Sequence, residues 1–504
     1  MEPVLAGRPA LQGSRRSLPV ILRRAAVALA LVALLLPCAL EAQPDRSGPP
    51  PPGPPPSLRL PPIQHLALAN GIPVVLMEKH AVPLVQVNLL IRGGALLDPP
   101  GKTGLASMTA AMLTEGAGAR SSLQFADAVD YLGADISASS GFSIMGIALH
   151  TPLEKLDSAL ALFADVVRRP LFPPDELARN RKERLTSLIE ARDEPRSLAS
   201  VLFNRTLYDD HPYGRMTGGN AASLASMTVE DLRKFHDGVI VPGNTTIIVV
   251  GDVTPAEIMP KLDHAFGDWK GEAAAPPPVP PIRQLAAKTL LFVDKPGAAQ
   301  SVIEIGRVGV PRMTDDFYAI VVMNTILGGS FTSRLNMNLR ERHGYSYGAG
   351  SRFEFRPLAG PFLAAASVQT AVTDSALVEF VKELKGMRDP IPEADVERAR
   401  NYVALSFPAD FQSVAQIAGQ LEELVIYNLP DDYFNRYIER ILAVTKADVE
   451  RVARTYIDPG DMAYVIVGDR KEVGESVRKL NIAPAKFLSV EDVLGPAPAL
   501  EGGK

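Results

Sequence analysis

The chain has 504 residues, of which 46% are hydrophobic and 22% are charged, and its formal net charge is −5. A chain of this length holds two or three domains, and the composition is that of ordinary globular proteins. The mild acidity is not typical of proteins that bind nucleic acid. The single cysteine, Cys38, excludes a disulfide framework and thiolate zinc sites.

The N-terminus has the pattern of a secretory signal. A basic region with Arg15, Arg16, Arg23 and Arg24 precedes the apolar run Ala25 to Ala39, and Ala42 is a suitable cleavage position. We therefore predict a signal peptide over residues 1–42, export across the inner membrane and a periplasmic location. The apolar run is short for a spanning helix, but an uncleaved anchor and lipidation at Cys38 remain alternatives. Contact with a membrane is expected only in those two cases.

The first half of the chain alternates strands and helices after a proline-rich spacer at residues 43–62. Hydrophobic periodicity and end signals predict each of these elements. In chain order they are a strand at 84–91 that ends at Gly93-Gly94, helices at 104–114 and 123–132, a strand at 144–149, helices at 153–168 and 174–192, a helix capped by Thr228, and a strand at 245–250. This pattern predicts an α+β fold with mixed or antiparallel sheets covered by helices.

The second half repeats the first. Met227 to Leu232 recurs as Val444 to Val449, and the same offset of 217 residues carries Val249 to Asp252 onto Ile466 to Asp469. The chain is therefore predicted to be a duplicated pair of domains rather than a solenoid. The predicted parts are a first domain at 63–272, a proline-rich linker at 273–286, a second domain at 287–485 and a tail at 486–504.

Several segments, in the right order, resemble the pitrilysin/insulinase family of zinc peptidases, and in particular its processing-peptidase-like branch. The resemblance covers roughly residues 62 to 485. It implies two homologous domains and a clamshell assembly. The matching segments are Leu68-Ala69-Asn70-Gly71, Pro100 to Ala106, His211-Pro212-Tyr213-Gly214, Val250-Gly251-Asp252, Leu327 to Leu335 and Leu339 to Tyr347. We interpret His211 to Gly214 as a structural turn.

The resemblance also implies zinc ligands that this chain lacks. Members of the family carry H-x-x-E-H on a helix, since imidazole and carboxylate groups hold the metal and its water. Here the three positions are Ser107, Ala110 and Ala111, and the register set by Asp193-Glu194-Pro195 places Ser187 at the third ligand. None of the seven histidines has another within five residues, so no second two-histidine helix site is expected. A relocated ligand at Glu183 or Glu190 is the minor alternative.

In the second half the resemblance implies two residues that act on substrate in trans. Arg340 and Tyr347 match an arginine and a tyrosine that reach across the clamshell, with Tyr345 as the alternative if the register is wrong. A guanidinium can hold a peptide carbonyl, and a phenol can stabilise an oxyanion. Gly328 and Gly329 are predicted to let a substrate backbone approach, although a packing role is an equal alternative.

These observations predict a catalytically incomplete subunit of a peptidase. No cofactor is expected in this chain; zinc is expected in a sister subunit that carries H-x-x-E-H. The resemblance further implies that an extended peptide adds to a sheet edge beside the degenerate site, and Ala134 to Ser140 is the candidate edge in this half. The alternative is a non-proteolytic, scaffolding homologue.

Overall fold

The computed structural model describes residues 53, 57–273 and 277–498 of the chain. The predicted signal peptide and most of the proline-rich spacer lie outside the described residues. The residues from 57 onward belong to one compact unit. None of the described helices combines the length and the apolar character that a bilayer-spanning helix needs.

The first half contains a six-stranded mixed sheet with the order β1-β2-β6-β3-β5-β4. β2 and β6 run parallel, and the other neighbouring strands are antiparallel. The strands are β1 (Gln64–Ala67), β2 (Pro73–Glu78), β3 (Leu84–Arg92), β4 (Asp135–Ser140), β5 (Ile144–Pro152) and β6 (Thr245–Gly251).

The second half contains a sheet of the same size with the order β12-β7-β11-β8-β10-β9. Its strands are β7 (Thr289–Asp294), β8 (Gln300–Val308), β9 (Ser346–Phe353), β10 (Pro361–Gln369), β11 (Ala463–Gly468) and β12 (Ala485–Leu488). From the second strand of each sheet onward, equivalent strands occupy equivalent places. The predicted duplication and the α+β fold with two domains are therefore confirmed.

The helices of the first half are α1 (Leu105–Met112), α2 (Ser122–Tyr131), α3 (Leu156–Arg168), α4 (Pro174–Asp193), α5 (Pro195–Tyr208), α6 (Ala221–Ser226), α7 (Val229–Val239) and α8 (Pro255–Phe266). Five of them lie at the places that the sequence predicts, and α5, α6 and α8 are additional to them. His211 to Gly214 forms the expected turn after α5, with a short 3₁₀ helix at Pro212–Gly214.

The helices of the second half are α9 (Phe317–Leu327), α10 (Arg334–Asn336), α11 (Thr373–Gly386), α12 (Glu393–Ser406), α13 (Val414–Tyr427), α14 (Tyr433–Leu442), α15 (Lys446–Tyr456), α16 (Arg470–Lys479) and α17 (Val490–Leu494). A π-helical turn, Met337–Arg342, continues α10. α17 and all of β12 except Ala485 come from the segment that the sequence sets apart as a tail, and both elements pack against β7.

Both sheets are buried on two faces, but the two faces are covered by different halves of the chain. One face of each sheet packs against helices of its own half. The other face of the first sheet packs under α13, which belongs to the second half. In return α5, from the first half, packs on β8 and β11 of the second sheet. The two halves therefore exchange helices, and neither contains all of its own core.

Candidate functional site

The helix α1 carries the positions at which the family has H-x-x-E-H. It begins after Gly104, whose φ of 89° suits glycine and whose added Cβ would lie 2.6 Å from the backbone of Gly219. The carboxylate of Asp98 accepts hydrogen bonds from the N–H groups of Gly104 and Ala106, at 2.7 and 2.8 Å. Burial raises the pKa of Asp98 to about 6. The motif helix is thus held at its N-terminus by a buried side chain.

The side chains on this helix cannot hold a metal. Ala110 is 2% exposed and points into the core of the first half, whereas Ser107 and Ala111 are half-buried. Ser187, the position of the third ligand, is exposed on α4, which packs against α1. Methyl and hydroxymethyl groups supply neither imidazole nor carboxylate, so these residues do not fit zinc. Among the described residues, no group of three or more His, Cys, Asp or Glu is placed to bind a metal ion.

An arginine lies where α4 meets the motif helix. Arg184 donates from Nη2 to the carbonyl oxygen of Ser107 at 2.9 Å and from Nη1 to that of Gly218 at 3.3 Å. Burial lowers the pKa of its guanidinium. The structure therefore places a cationic side chain beside a position where the family has a metal ligand. Sequence reasoning missed this residue, because an arginine on a charged helix gives no signal of its own.

The glutamates considered as relocated ligands are not gathered into a site. Glu183 accepts a hydrogen bond from Arg179 at 2.8 Å, and Arg179 also binds Glu176 and Glu115. Glu190 is exposed on the same helix. Glu183 thus belongs to a surface ion-pair network centred on Arg179.

The edge of the first sheet lies next to the degenerate zinc site. β4 is the outermost strand, as predicted for Ala134 to Ser140, and α1 packs against it. Its exposed residues alternate, with Asp135, Ser137 and Ser139 facing solvent. The strand therefore has a free backbone edge to which an extended peptide could bond.

Arg340 and Tyr347 lie on the corresponding edge of the second sheet. Arg340 belongs to the π-helical turn, and Tyr347 belongs to β9, the outermost strand. The amide of Tyr345 donates to the carbonyl oxygen of Leu339 at 2.8 Å, and that of Gly344 donates to Arg340 at 3.0 Å. These bonds hold the end of the turn against the start of the strand.

The two side chains face solvent in different environments. Arg340 lies over the ring of Phe331, with its Cζ 4.9 Å from the ring centroid, and its Nε is 3.2 Å from the carboxylate of Glu341. Tyr347 is 89% exposed. Tyr345, the alternative, is half-buried and stacks on His343. The hydroxyphenyl group of Tyr347 is therefore more accessible than that of Tyr345.

Buried polar contacts fix the π-helical turn. Nδ2 of Asn338 donates to Glu383 at 2.6 Å and to Glu379 at 2.7 Å, both on α11. Glu383 also accepts from Nε of Arg334 at 2.8 Å. The turn that carries Arg340 is thus tied to a helix of the same domain.

The Gly328-Gly329 loop packs tightly against β9. A Cβ at Gly328 would lie 2.2 Å from the backbone nitrogen of Ser351, and both glycine amides donate to the carbonyl oxygen of Asn324. Close approach of the strand thus accounts for Gly328 by itself. A role of the loop in binding substrate stays a prediction.

The degenerate site and the Arg340–Tyr347 edge do not form one site within the chain. The elements that carry the first, α1 and α4, pack in the first half, whereas the π-helical turn and β9 pack in the second. Each edge is the outer strand of its own sheet.

Two family models match successive parts of the chain. The model described as "Insulinase (Peptidase family M16)" matches residues 73–220, and the one described as "Peptidase M16 inactive domain" matches residues 226–403. Together they cover more than half of the 504 residues. The chain belongs to the M16 peptidase family. Because the inherited metal-ligand positions hold Ser and Ala, it is an inactive member.

Similar proteins include proteins named as proteases and one named as a non-peptidase. An "Uncharacterized zinc protease" of Rickettsia bellii is 24% identical over 79% of this chain and 96% of its own length. The "Non-peptidase homolog YmxG" of Helicobacter pylori is 20% identical over 80% and 93%. A crystal structure of a peptidase M16 inactive domain from Pseudomonas fluorescens has a TM-score of 0.75 and 27% identity, and the match covers 81% of this chain and 97% of that one.

Proposed function

We propose that this M16 chain is the catalytically incomplete subunit of a two-subunit zinc peptidase. It binds peptide and presents Arg340 and Tyr347 to a sister subunit that carries the zinc ligands. The observation that carries the proposal is the exposure of Tyr347 at an open strand edge, in a chain whose inherited zinc-ligand positions hold Ser and Ala. At this edge the phenol of Tyr347 is accessible to a partner subunit or to a peptide.

The chemistry of the two side chains suits an extended peptide at this edge. The free backbone of β9 offers hydrogen bonds to a peptide main chain. Arg340 can donate several hydrogen bonds to a carbonyl or a carboxylate, and Tyr347 can donate one to a developing oxyanion. The stacking on Phe331 and the bonds from Asn338 limit the positions that the guanidinium can take.

The charges of the two edges support an arrangement in which a β4-type edge of one subunit faces a β9-type edge of the other. Residues 121–140, which form α2 and β4, contain three Asp and no Lys or Arg. Residues 334–353, which form the turn and β9, contain four Arg and one Glu. Opposite charges on facing surfaces favour one docking orientation.

The test is reconstitution of the full chain with a zinc-bearing sister subunit and measurement of peptide cleavage. Arg340→Ala and Tyr347→Phe are expected to lower kcat by about 100-fold, because each removes a donor that acts in the transition state. Tyr345→Phe and Arg342→Ala are the matched controls and are expected to leave kcat unchanged. Unchanged kcat in both Arg340→Ala and Tyr347→Phe would favour the scaffolding alternative instead.

The proposal also implies that the isolated chain has no metal-dependent activity. Elemental analysis of the purified chain is expected to find zinc far below one atom per chain. Stoichiometric zinc, together with peptide cleavage that a chelator stops, would contradict the proposal.

Export is part of the same proposal, because the apolar run at 25–39 is best explained as a signal segment. N-terminal sequencing of the protein from the periplasmic fraction is expected to begin just after Ala42. Recovery of the protein with its first 42 residues intact would instead support a membrane anchor.

A further inference from the structure

The first half also contains a cavity that is separate from the β4 edge and the β9 edge. It has a volume of about 670 Å³ and lies between the end of β3, the motif helix α1 and α7. Its wall is mainly apolar, with Leu96, Leu105, Phe235 and Val239 as the larger side chains. This volume lies within the range of about 300–1,000 Å³ that small-molecule sites occupy.

The polar groups at this cavity are predominantly hydrogen-bond donors. Arg92, at the exposed end of β3, lines the cavity, and no carboxylate of the described residues lies within 4 Å of its guanidinium. Lys234 lines it as well and is 73% exposed. The acid in the lining, Asp231, is already bonded to Lys102 at 2.8 Å.

Arg92 is the last residue of β3 and stands at one side of the apolar wall. Lys234 adds a second positive charge to the lining, although it also pairs with Glu230 at 3.4 Å. A guanidinium can donate several hydrogen bonds to one carboxylate, so Arg92 is the group that would recognise an anion in this cavity.

We propose that this cavity binds an amphiphilic anion, that is, an unbranched acyl chain that ends in a carboxylate. The chain lies against Leu105, Phe235 and Val239, and the carboxylate accepts hydrogen bonds from Arg92. The site is separate from the Arg340–Tyr347 edge, so it adds a ligand-binding activity to the peptide-binding role.

The structure offers a variant that closes the cavity without disturbing the fold. Gly238 lies on α7 at the cavity, and a Cβ added there meets no atom within 4 Å. Gly238→Trp therefore places a large side chain at the opening, and replacing a helical glycine does not weaken the helix. Gly419→Trp is the matched control, because Gly419 is an exposed glycine in the helix α13 and also has open space around its Cβ.

The experiment measures the fluorescence of dansyl-undecanoic acid with the full chain, followed by displacement with decanoate and with decanol. We expect saturable binding of one probe per chain that Gly238→Trp weakens at least about tenfold and Gly419→Trp leaves unchanged. Arg92→Gln is expected to weaken decanoate about tenfold and to leave decanol unchanged. Thermal unfolding of each variant shows whether it is folded.

Three results would overturn the proposal. The first is the absence of saturable binding, and the second is binding that a folded Gly238→Trp variant retains in full. The third is equal displacement by decanoate and decanol in the wild type together with no effect of Arg92→Gln, because it would show an apolar cavity without anion recognition.

Discussion

The two exchanged helices occupy equivalent positions but contact different polar residues. α13 covers the face of the first sheet that its own half leaves uncovered, and α5 covers the corresponding face of the second sheet. Beneath them, Asn88 and Glu304 hold the same position, since Asn88 pairs with Ile248 and Glu304 pairs with Val465, which the 217-residue offset relates. Both residues are 7% exposed.

Only one of these two buried side chains has hydrogen-bond partners. Nδ2 of Asn88 donates to Oε1 of Glu422 on α13 at 2.7 Å, and Gln86 and His150 extend the network. Oε2 of Glu304, in contrast, is buried with no hydrogen-bond partner among the described residues. Burial raises the pKa of Glu304 to about 7. Duplication thus produced two equivalent interfaces that have since diverged in how they handle a buried polar residue.

The largest expected effect comes from separating the halves. Residues 57–273 alone would expose the apolar face of α5, including Leu202 and Phe203, and would leave their own sheet without α13. Each such side chain contributes about 1.5–3 kcal/mol when buried, and a domain is stable by only about 5–15 kcal/mol. Each fragment, 57–273 or 277–498, is therefore expected to lack cooperative unfolding by circular dichroism.

Co-expression is the control for this prediction. The two fragments expressed together are expected to co-purify as a folded complex, because all the exchanged contacts can then form. A fragment that is monomeric, soluble and cooperatively folded by itself would show that the exchange is not needed for stability.

The second prediction concerns Glu304 and pH. Its folded-state pKa of about 7 lies above the ordinary value of 4.5, so the folded state binds more protons between these values. Stability is therefore expected to fall as the pH rises from about 4.5 to about 7, by up to about 3 kcal/mol. Glu304→Gln is expected to remove this loss, and urea unfolding at a series of pH values measures it.

An exposed glutamate provides the control for this pH series. Glu190→Gln changes a carboxylate on the surface of α4 and is expected to keep the pH dependence of the wild type. If the stability of Glu304→Gln falls as steeply as that of the wild type, the unpartnered carboxylate is not the cause.

The third prediction concerns the satisfied interface. Asn88→Ala removes the donor to Glu422, and the cost is expected to be about 2 kcal/mol, because a buried group loses its hydrogen bond. Burial already raises the pKa of Glu422, and the bond from Asn88 opposes this rise. The variant is therefore expected to lose more stability at pH 8 than at pH 5.

A double-mutant cycle with Glu422→Gln isolates the pair. The coupling energy between the two substitutions is expected to be about 1–2 kcal/mol, as is usual for side chains in direct contact. Additive effects of Asn88→Ala and Glu422→Gln would show that the bond contributes nothing beyond the individual residues.

Several elements of the first half and the duplication could be predicted from the sequence because they depend on local patterns, whereas α5, α6 and α8 were not predicted. The strand at 84–91 and the helix capped by Thr228 follow from apolar spacing and end residues, and one offset relates the halves. The exchange of α5 and α13 could not be predicted, since an apolar helix face does not specify which sheet it covers. The loss of the zinc ligands could be recognised from the sequence because the H-x-x-E-H motif is local. The contacts of Arg184 could not, because they depend on residues distant in sequence.

The smallest expected effect tests a feature that the two halves have kept in common. Thr228 and Thr445 each cap a helix, and each forms a capping box with an aspartate at the third position, Asp231 or Asp448. Replacing either threonine by alanine removes the acceptor for one backbone N–H, so each variant is expected to lose about 1 kcal/mol. Urea unfolding of both variants gives the comparison. Since Asp231 also binds Lys102, a larger loss at Thr228 than at Thr445 would show that the two caps have diverged as the two interfaces have.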